Sequence, residues 1–249
     1  MFQATVLSLF PNEFKQFFLK GIFAKAYANQ LFDLSLIDLR QFGVGPHKKV
    51  DDYPVSKRQG MLLRADVILK ALSTLEDFDQ YRIIYTCPKG KLFNQALAND
   101  LKNEKKGIVI IPGYYRGIDQ RIFDCVNIER VSVGNYVLNS GDIPALSILD
   151  SVIRLIPGVL GNSDCIDSDS LESDWLEAAQ FTKPDTVNGI SVPALLKSGN
   201  HAEIVNAQLT ESILTTLFKR PDLIAGKQFT QNELLKITES IKSILWNWS

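Results

Sequence analysis

The residues able to do chemistry concentrate between Gly107 and Gly161, above all in Ser132-Val-Gly-Asn-Tyr-Val-Leu-Asn-Ser-Gly-Asp-Ile-Pro144. Glycine, serine and asparagine there follow an apolar run and precede a helical one, the arrangement in which an α/β sheet presents a ligand site beyond its strand ends. Turn chemistry alone also explains these glycines. Arg154 lies on the helix that follows, and a guanidinium there suits a carbonyl gaining negative charge. Near a helix C-terminus it is equally a surface arginine favoured by the macrodipole. Asp169 stands in the acidic run 161–174, where a carboxylate is either a proton acceptor or one of several solvated acids. Residues 40–59 carry His47, Lys48, Lys49, Lys57 and Arg58 beside Asp51 and Asp52, a charged loop or a set of phosphate contacts. Three widely spaced cysteines (Cys87, Cys125, Cys165) and two histidines have no metal-ligand spacing, so no metal site is expected from them.

The elements that must position these residues read as alternating strands and helices. Phe2 to Phe10 reads as a buried strand, and Asn12 as the cap of a helix through about Asn29 with Phe14, Phe17, Phe18 and Ile22 on one face. Leu31 to Leu39 reads as a second strand, Leu62 to Leu75 as a helix, and Tyr81 to Thr86 as a third strand ending at Cys87-Pro88-Lys89-Gly90. Leu92 to Leu101 reads as a helix, and Ile108 to Ile111 as a strand stopped by Pro112-Gly113. A helical pattern opens at Ile118 to Phe123, a strand ends at Val133-Gly134, and an amphipathic helix runs from Ile143 to Leu155. Residues 161–174 read as a mobile linker. Beyond it, Asn200 with Glu203 and Thr230 with Glu233 have N-x-x-E capping spacing for helices to about Lys219 and Trp246. Residues 40–59 form the longest stretch without a pattern.

The chain has 249 residues, 45% hydrophobic and 22% charged, which suits one large domain or a domain with a smaller appendage. A net charge of −1 means that any nucleic-acid contact must come from local patches. No apolar run approaches membrane-spanning length, and the N-terminus lacks the basic lead and long apolar core of a signal peptide. A cytoplasmic protein with reduced thiols and no membrane partner is the expectation.

Four segments are specific enough to name a family: Gly113-Tyr-Tyr-Arg-Gly-Ile-Asp-Gln-Arg121, Ser132-Val-Gly-Asn-Tyr-Val-Leu138, Asp150-Ser-Val-Ile-Arg-Leu-Ile-Pro-Gly-Val-Leu-Gly161 and Leu196-Lys-Ser-Gly-Asn-His-Ala-Glu-Ile204. Over nearly its whole length the chain resembles the TrmD family of tRNA guanine-N1 methyltransferases, within the SPOUT superfamily. The resemblance implies an α/β fold, with a SPOUT-type sheet and deep trefoil knot over 1–160, the linker 161–174 and a small C-terminal helical domain over 175–249. It implies S-adenosyl-L-methionine as methyl donor, held by Cys87, Pro88, Gly113, Val133, Gly134, Asn135, Tyr136, Val137, Leu138 and Gly141, with Glu177. It further implies Asp169 as general base, Arg154 on the target guanine, and tRNA contacts at Lys48, Lys49, Arg58 and His201. The family acts as a homodimer, with Asp169 of one subunit serving the donor in the other, and Mg2+ is the second cofactor the resemblance admits.

Several positions depart from the family pattern. Arg116 stands for a glutamate, Ser140 for a glycine, Asn135 for an aspartate and Cys165 for a serine, while Asp142 and Glu177 exchange one acid for another. Val55-Ser-Lys-Arg-Gln59 replaces a glycine-rich run before Gly60-Met61. Three readings follow: methylation of N1 of the guanine 3′ of a tRNA anticodon, a diverged methyltransferase with another RNA or small-molecule acceptor, and an RNA-binding protein that retains the fold. Retention of Asp169 and Arg154 favours the two enzymes over the third.

Overall fold

The computed structural model describes residues 1–56, 59–160, 170–171 and 175–246, with side chains described as far as residue 239. Two compact units divide it, at 1–163 and 164–249.

The first unit is built on five parallel strands: β1 (Phe2–Ser8), β2 (Phe32–Asp38), β5 (Arg82–Leu92), β6 (Ile108–Ile111) and β7 (Ile128–Ser132), in the order β2-β1-β6-β5-β7. All four residues of β6 are buried, as a central strand covered on both faces requires. Val109 and Ile111 face a core with Leu7, Leu39, Ile83 and helix α3 (Ala65–Leu72). Ile108 and Ile110, equally buried, point by alternation to the opposite face. A two-stranded ribbon, β3 (Asp51–Asp52) with β4 (Leu62–Leu63), joins this unit, as do α4 (Gln95–Leu101), α5 (Ile122–Cys125) and α6 (Asp142–Ile153).

Where the strands begin, Arg82 gathers three carboxylates: its guanidinium donates to Asp100 Oδ2 (2.6 Å), Glu104 Oε1 (3.1 Å) and Glu129 Oε2 (2.9 Å). Burial alone would raise the Glu129 carboxyl, but Lys91 and Arg82 overcome it and hold it below the usual range. Asp100 is likewise lowered by its hydrogen bond from Arg82.

The local expectations need five revisions, the first being that Leu92 ends β5, so the helix expected from it starts only at Gln95, capped by Asn94. The helix expected from Asn12 to Asn29 is two helices, α1 (Pro11–Phe18) and α2 (Gly21–Ala28), because Lys20 is extended and Gly21 takes a φ of +57°. Asn12 lies inside the first turn of α1, whose cap position is Phe10, and the break buries Phe14, Phe18 and Phe23 while exposing Phe17 and Ile22. Leu62–Leu63 is strand, so the following helix starts only at Ala65. The helix read from Ile118 is confined to Ile122–Cys125, since Leu63 donates to Gly117 O and accepts from Asp119 N, drawing residues 117–119 to β4. Residues 40–59 are not featureless: a 3-10 turn covers Leu39–Phe42, and Val44 and Lys49 exchange backbone hydrogen bonds of 2.9 and 3.0 Å around an exposed turn.

The second unit holds a hairpin, β8 (Thr186–Val187) with β9 (Ile190–Ser191), and two helices, α7 (His201–Lys219) and α8 (Gln231–Trp246). Asn188 and Gly189 both have positive φ, as the two-residue turn of such a hairpin demands. Asn200 caps α7 by accepting from Glu203 N, and Thr230 with Glu233 does the same for α8. Trp175 anchors the unit: its indole stacks on Phe229, lies under the Lys227 ammonium and donates to Glu233 Oε1 at 3.0 Å. Among the described residues no helix is long and apolar enough to cross a membrane.

Candidate functional site

Parallel pairing places the C-terminal ends of β5, β6 and β7 along one edge, where Tyr85 lies beside Ile111 and Thr86 beside Val131. Beyond that edge lies a cavity of about 480 Å3, within the range of roughly 300–1,000 Å3 usual for cofactor sites. Its wall comes from 85–89 within β5, from 113–118 after β6 and from 131–141 at and after β7, with Phe123 and Pro144.

The loops are locked together at Thr86. Its Oγ1 accepts from Gly113 N at 3.0 Å and donates to Gly141 O at 3.2 Å, and Gly141 N donates to Gly113 O. There is no room for a side chain at either glycine: a Cβ on Gly141 would lie 2.1 Å from Gly113 N, and one on Gly113 would lie 2.3 Å from Thr86 O. The residues between 133 and 140 belong to no helix or strand, so their peptide groups are not consumed by a ladder and suit the donor and acceptor edges of a purine.

Below this edge a buried polar network fixes α6 against the sheet. Tyr114 Oη donates to Asp142 Oδ1 at 2.5 Å and accepts from Leu9 N at 3.1 Å, while the Ser8 hydroxyl lies 2.7 Å from Tyr114 Oη and 3.3 Å from Asp142 Oδ1. Burial first, then the bond to Asp142, pushes the Tyr114 phenol well above its ordinary range. Burial also raises Tyr85, whose ring forms the cavity floor edge-on to Phe123. Asp142 occupies the first turn of α6, where the helix dipole favours an anion.

Among the described residues Lys89, Arg116 and Arg130 line the cavity, and no Asp or Glu does. S-adenosylmethionine fits a wall of this size, with its loop backbone and aromatic floor. Among the described residues the wall offers a divalent cation no carboxylate, and no group of three His, Cys, Asp or Glu could hold one. A second concavity, near Arg64 and Arg121, is closed electrostatically by the pairs Arg64–Asp66 and Arg121–Asp119.

Of the residues singled out in the sequence, Cys87, Pro88, Gly113, Val133, Gly134, Tyr136, Val137, Leu138 and Gly141 lie on one cavity wall, and Asn135 is not among the lining residues. Arg154 is the half-buried C-terminal cap of α6. Lys48 and Lys49 are exposed on the 44–49 turn. Glu177 and His201 are exposed in the second unit, Glu177 accepting from Gln180 Nε2 at 3.0 Å and His201 opening α7. Asp169 and Arg58 lie outside the described residues. Sequence reasoning missed Tyr85, Thr86 and Arg130. Their signal was position: Tyr85 and Thr86 close the apolar run of β5 just before its register shift, and Arg130 sits two residues before the end of the neighbouring strand.

The family model described as tRNA (Guanine-1)-methyltransferase TrmD matches residues 2–228. Proteins named tRNA (guanine-N(1)-)-methyltransferase are similar along almost the whole chain. The one from Staphylococcus carnosus is 37% identical over 239 residues, covering 96% of this chain and 97% of its own. That from Pelagibacter ubique is 40% identical over 223 residues (90% and 97%), and that from Dictyoglomus turgidum 38% over 245 residues (98% of each). With a cavity at the ends of β5, β6 and β7 and a family match spanning both compact units, the chain belongs to the TrmD family of tRNA (guanine-1)-methyltransferases.

Proposed function

We propose that the chain transfers a methyl group from S-adenosylmethionine to N1 of the guanine immediately 3′ of a tRNA anticodon. The observation that carries this reading is the cavity walled by residues 85–89 of β5 and by the loops after β6 and β7, locked at Thr86, in a chain of this family. The donor supplies an activated methyl on a sulfonium, so the protein's work is positioning and proton removal. The loop backbone from Val133 to Leu138 holds the adenosine, with Gly113 and Gly141 keeping the loops in contact. Asp169 takes the N1 proton as the methyl arrives. The guanidinium of Arg154 stabilises the negative charge that grows on the guanine carbonyl.

Around that site, the loops after β6 and β7 form the SPOUT trefoil knot, and the enzyme is a cytoplasmic homodimer in which Asp169 serves the partner's donor. The knotted domain spans 1–160, the linker 161–174, most of which lies outside the described residues, and the C-terminal helical domain 175–249; the division into units at residue 163 supports a boundary between two domains there. Exposure of Lys48, Lys49 and His201 supports their use on tRNA phosphates, and Arg58 joins them.

A second reading, a different acceptor, is favoured by one observation: Arg116 stands on the cavity wall where the family pattern has an acid. The two separate in one experiment. Purified protein is given an unmodified tRNA transcript with guanine after the anticodon, and another with adenine there, and N1 methylation is read by mass spectrometry. Methylation of the first alone is expected, and Asp169→Asn should lower its rate by about 10²–10⁴-fold with donor binding retained. Donor binding without methylation of either transcript transfers the assignment to another acceptor.

A further inference from the structure

The donor's amino-acid arm ends in a carboxylate, and a carboxylate leaving water for a protein cavity needs a cation or several hydrogen bonds. Three cations line this cavity, and their situations differ. The Arg130 guanidinium lies 3.6 Å from the centre of the Phe123 ring and donates to Gln120 Oε1 at 3.1 Å, so its planar face and part of its fork are engaged. Lys89 is exposed, a flexible and strongly hydrated ammonium. Arg116 differs from both. Its backbone is pinned, with N donating to Met61 O at 3.1 Å, while the following Gly117 N donates to Tyr114 O at 3.0 Å and Gly117 O accepts from Leu63 N at 2.9 Å. Its side chain lies flat across Gly60: a Cβ added there would meet Arg116 Cγ and Cδ at 2.7 Å and Nε at 2.9 Å. Gly60 itself has a φ of +96°, a conformation that a side chain would strain. Among the described residues no carboxylate pairs with this guanidinium.

We propose that Arg116 is a donor-binding residue that receives the α-carboxylate of S-adenosylmethionine, with Gly60 as the platform that holds its arm against the cavity wall. The assignment rests on the methyl-donor reading of the cavity and adds the residue that recognises the amino-acid end. A guanidinium presents two parallel N–H groups to a carboxylate, which a glutamate at this position could not do. It also accounts for a wall whose charged residues, among those described, are all cations, because the group to be bound there is an anion.

The test compares two ligands on the full-length protein by calorimetry: S-adenosylhomocysteine, which carries the arm, and 5′-methylthioadenosine, which lacks it. Arg116→Gln should weaken S-adenosylhomocysteine by about 10–100-fold, the usual worth of a charge-assisted contact, and leave methylthioadenosine within about twofold. Arg116→Lys should fall between wild type and Arg116→Gln, since an ammonium restores the charge without the fork. An unchanged affinity for S-adenosylhomocysteine in Arg116→Gln overturns the proposal. So does an equal loss for both ligands, which would mark a structural role, or a selective loss in Arg130→Gln or Lys89→Gln instead. Wild-type protein that binds neither ligand removes the methyl-donor reading itself, and this assignment with it.

Discussion

Gly141→Ala tests the loop contact that builds the cavity, without testing backbone strain. Gly141 has φ −80° and ψ 1°, a conformation open to any residue, so the added methyl acts through contact alone. That methyl would lie 2.1 Å from Gly113 N, 2.4 Å from Thr86 Oγ1 and 2.8 Å from Gly113 O, so the loops must part by more than an ångström. Overpacking of this kind costs about 1–3 kcal/mol. Each of the hydrogen bonds joining Thr86, Gly113 and Gly141 adds about 0.5–1.5 kcal/mol if broken. With two of the three bonds broken the expected loss is about 2–6 kcal/mol, a large share of the roughly 5–15 kcal/mol that holds a domain folded. Urea unfolding followed by circular dichroism should show a lower midpoint. Calorimetry on the folded fraction should show S-adenosylhomocysteine binding weakened by about 100-fold, as a displacement of this size at a positioned site implies. Thr86→Val, which removes the shared hydroxyl, should move both readouts in the same direction, and Thr86→Ser should move neither far. If Gly141→Ala keeps wild-type affinity and a stability within about 0.5 kcal/mol, the contact is not what shapes the cavity and the reasoning fails.

Tyr114→Phe takes the strongest donor from an Asp142 carboxylate that is only 2% exposed, and should destabilise the protein by about 1.5–3 kcal/mol in denaturant melts. Because Tyr85 and Tyr114 are raised in the folded state, they hold their protons there after the unfolded chain has released them. Stability should accordingly fall as pH rises beyond about 10, with phenolate absorbance from both appearing only on unfolding. At the other limb Glu129 and Asp100 are lowered in the folded state, so the unfolded chain binds more protons as pH falls below about 4 and stability declines there. Arg82→Met should flatten that acid decline in pH-dependent melts, and an unaltered slope would show that the cluster at the start of β5 is not its source.

Much of this architecture is readable from local pattern. All five strands of the main sheet stand where apolar runs such as Ile108–Ile111 place them, and both capped helices of the second unit begin at their N-x-x-E pairs. The hairpin at 186–191 went unread although Asn188-Gly189 is a strong turn signal, because its strands are two residues each and fully exposed, without an apolar run to mark them. Gly21 was passed over inside an otherwise helical stretch, where its left-handed φ ends one helix and allows the next. The candidate site divides the same way. The glycines at 113 and 141 were visible as turn residues, but the reason for them is contact between loops 28 residues apart in sequence, closed by a threonine 27 residues before the first. Ser8, Tyr114 and Asp142 converge from separations of 106 and 134 residues, and only the order of strands in the sheet brings them together. That order has no local signal, since it depends on which buried faces match across the whole sheet.

The way β5 meets β7 has a consequence for how such a site can vary. Thr86 and Lys91 both pair with Val131, so residues 87–90 are set outside the ladder between two points of attachment to one partner. Gly90 closes the excursion by lying against the backbone of Arg130 and Val131, where any side chain would collide. Residues could be added to or removed from this excursion without shifting the register of a single strand on either side. The segment that carries Cys87, Pro88 and Lys89 into the cavity is thereby insulated from the sheet that supports it. Lineages can lengthen, shorten or recharge this part of the pocket while the framework beneath it stays folded.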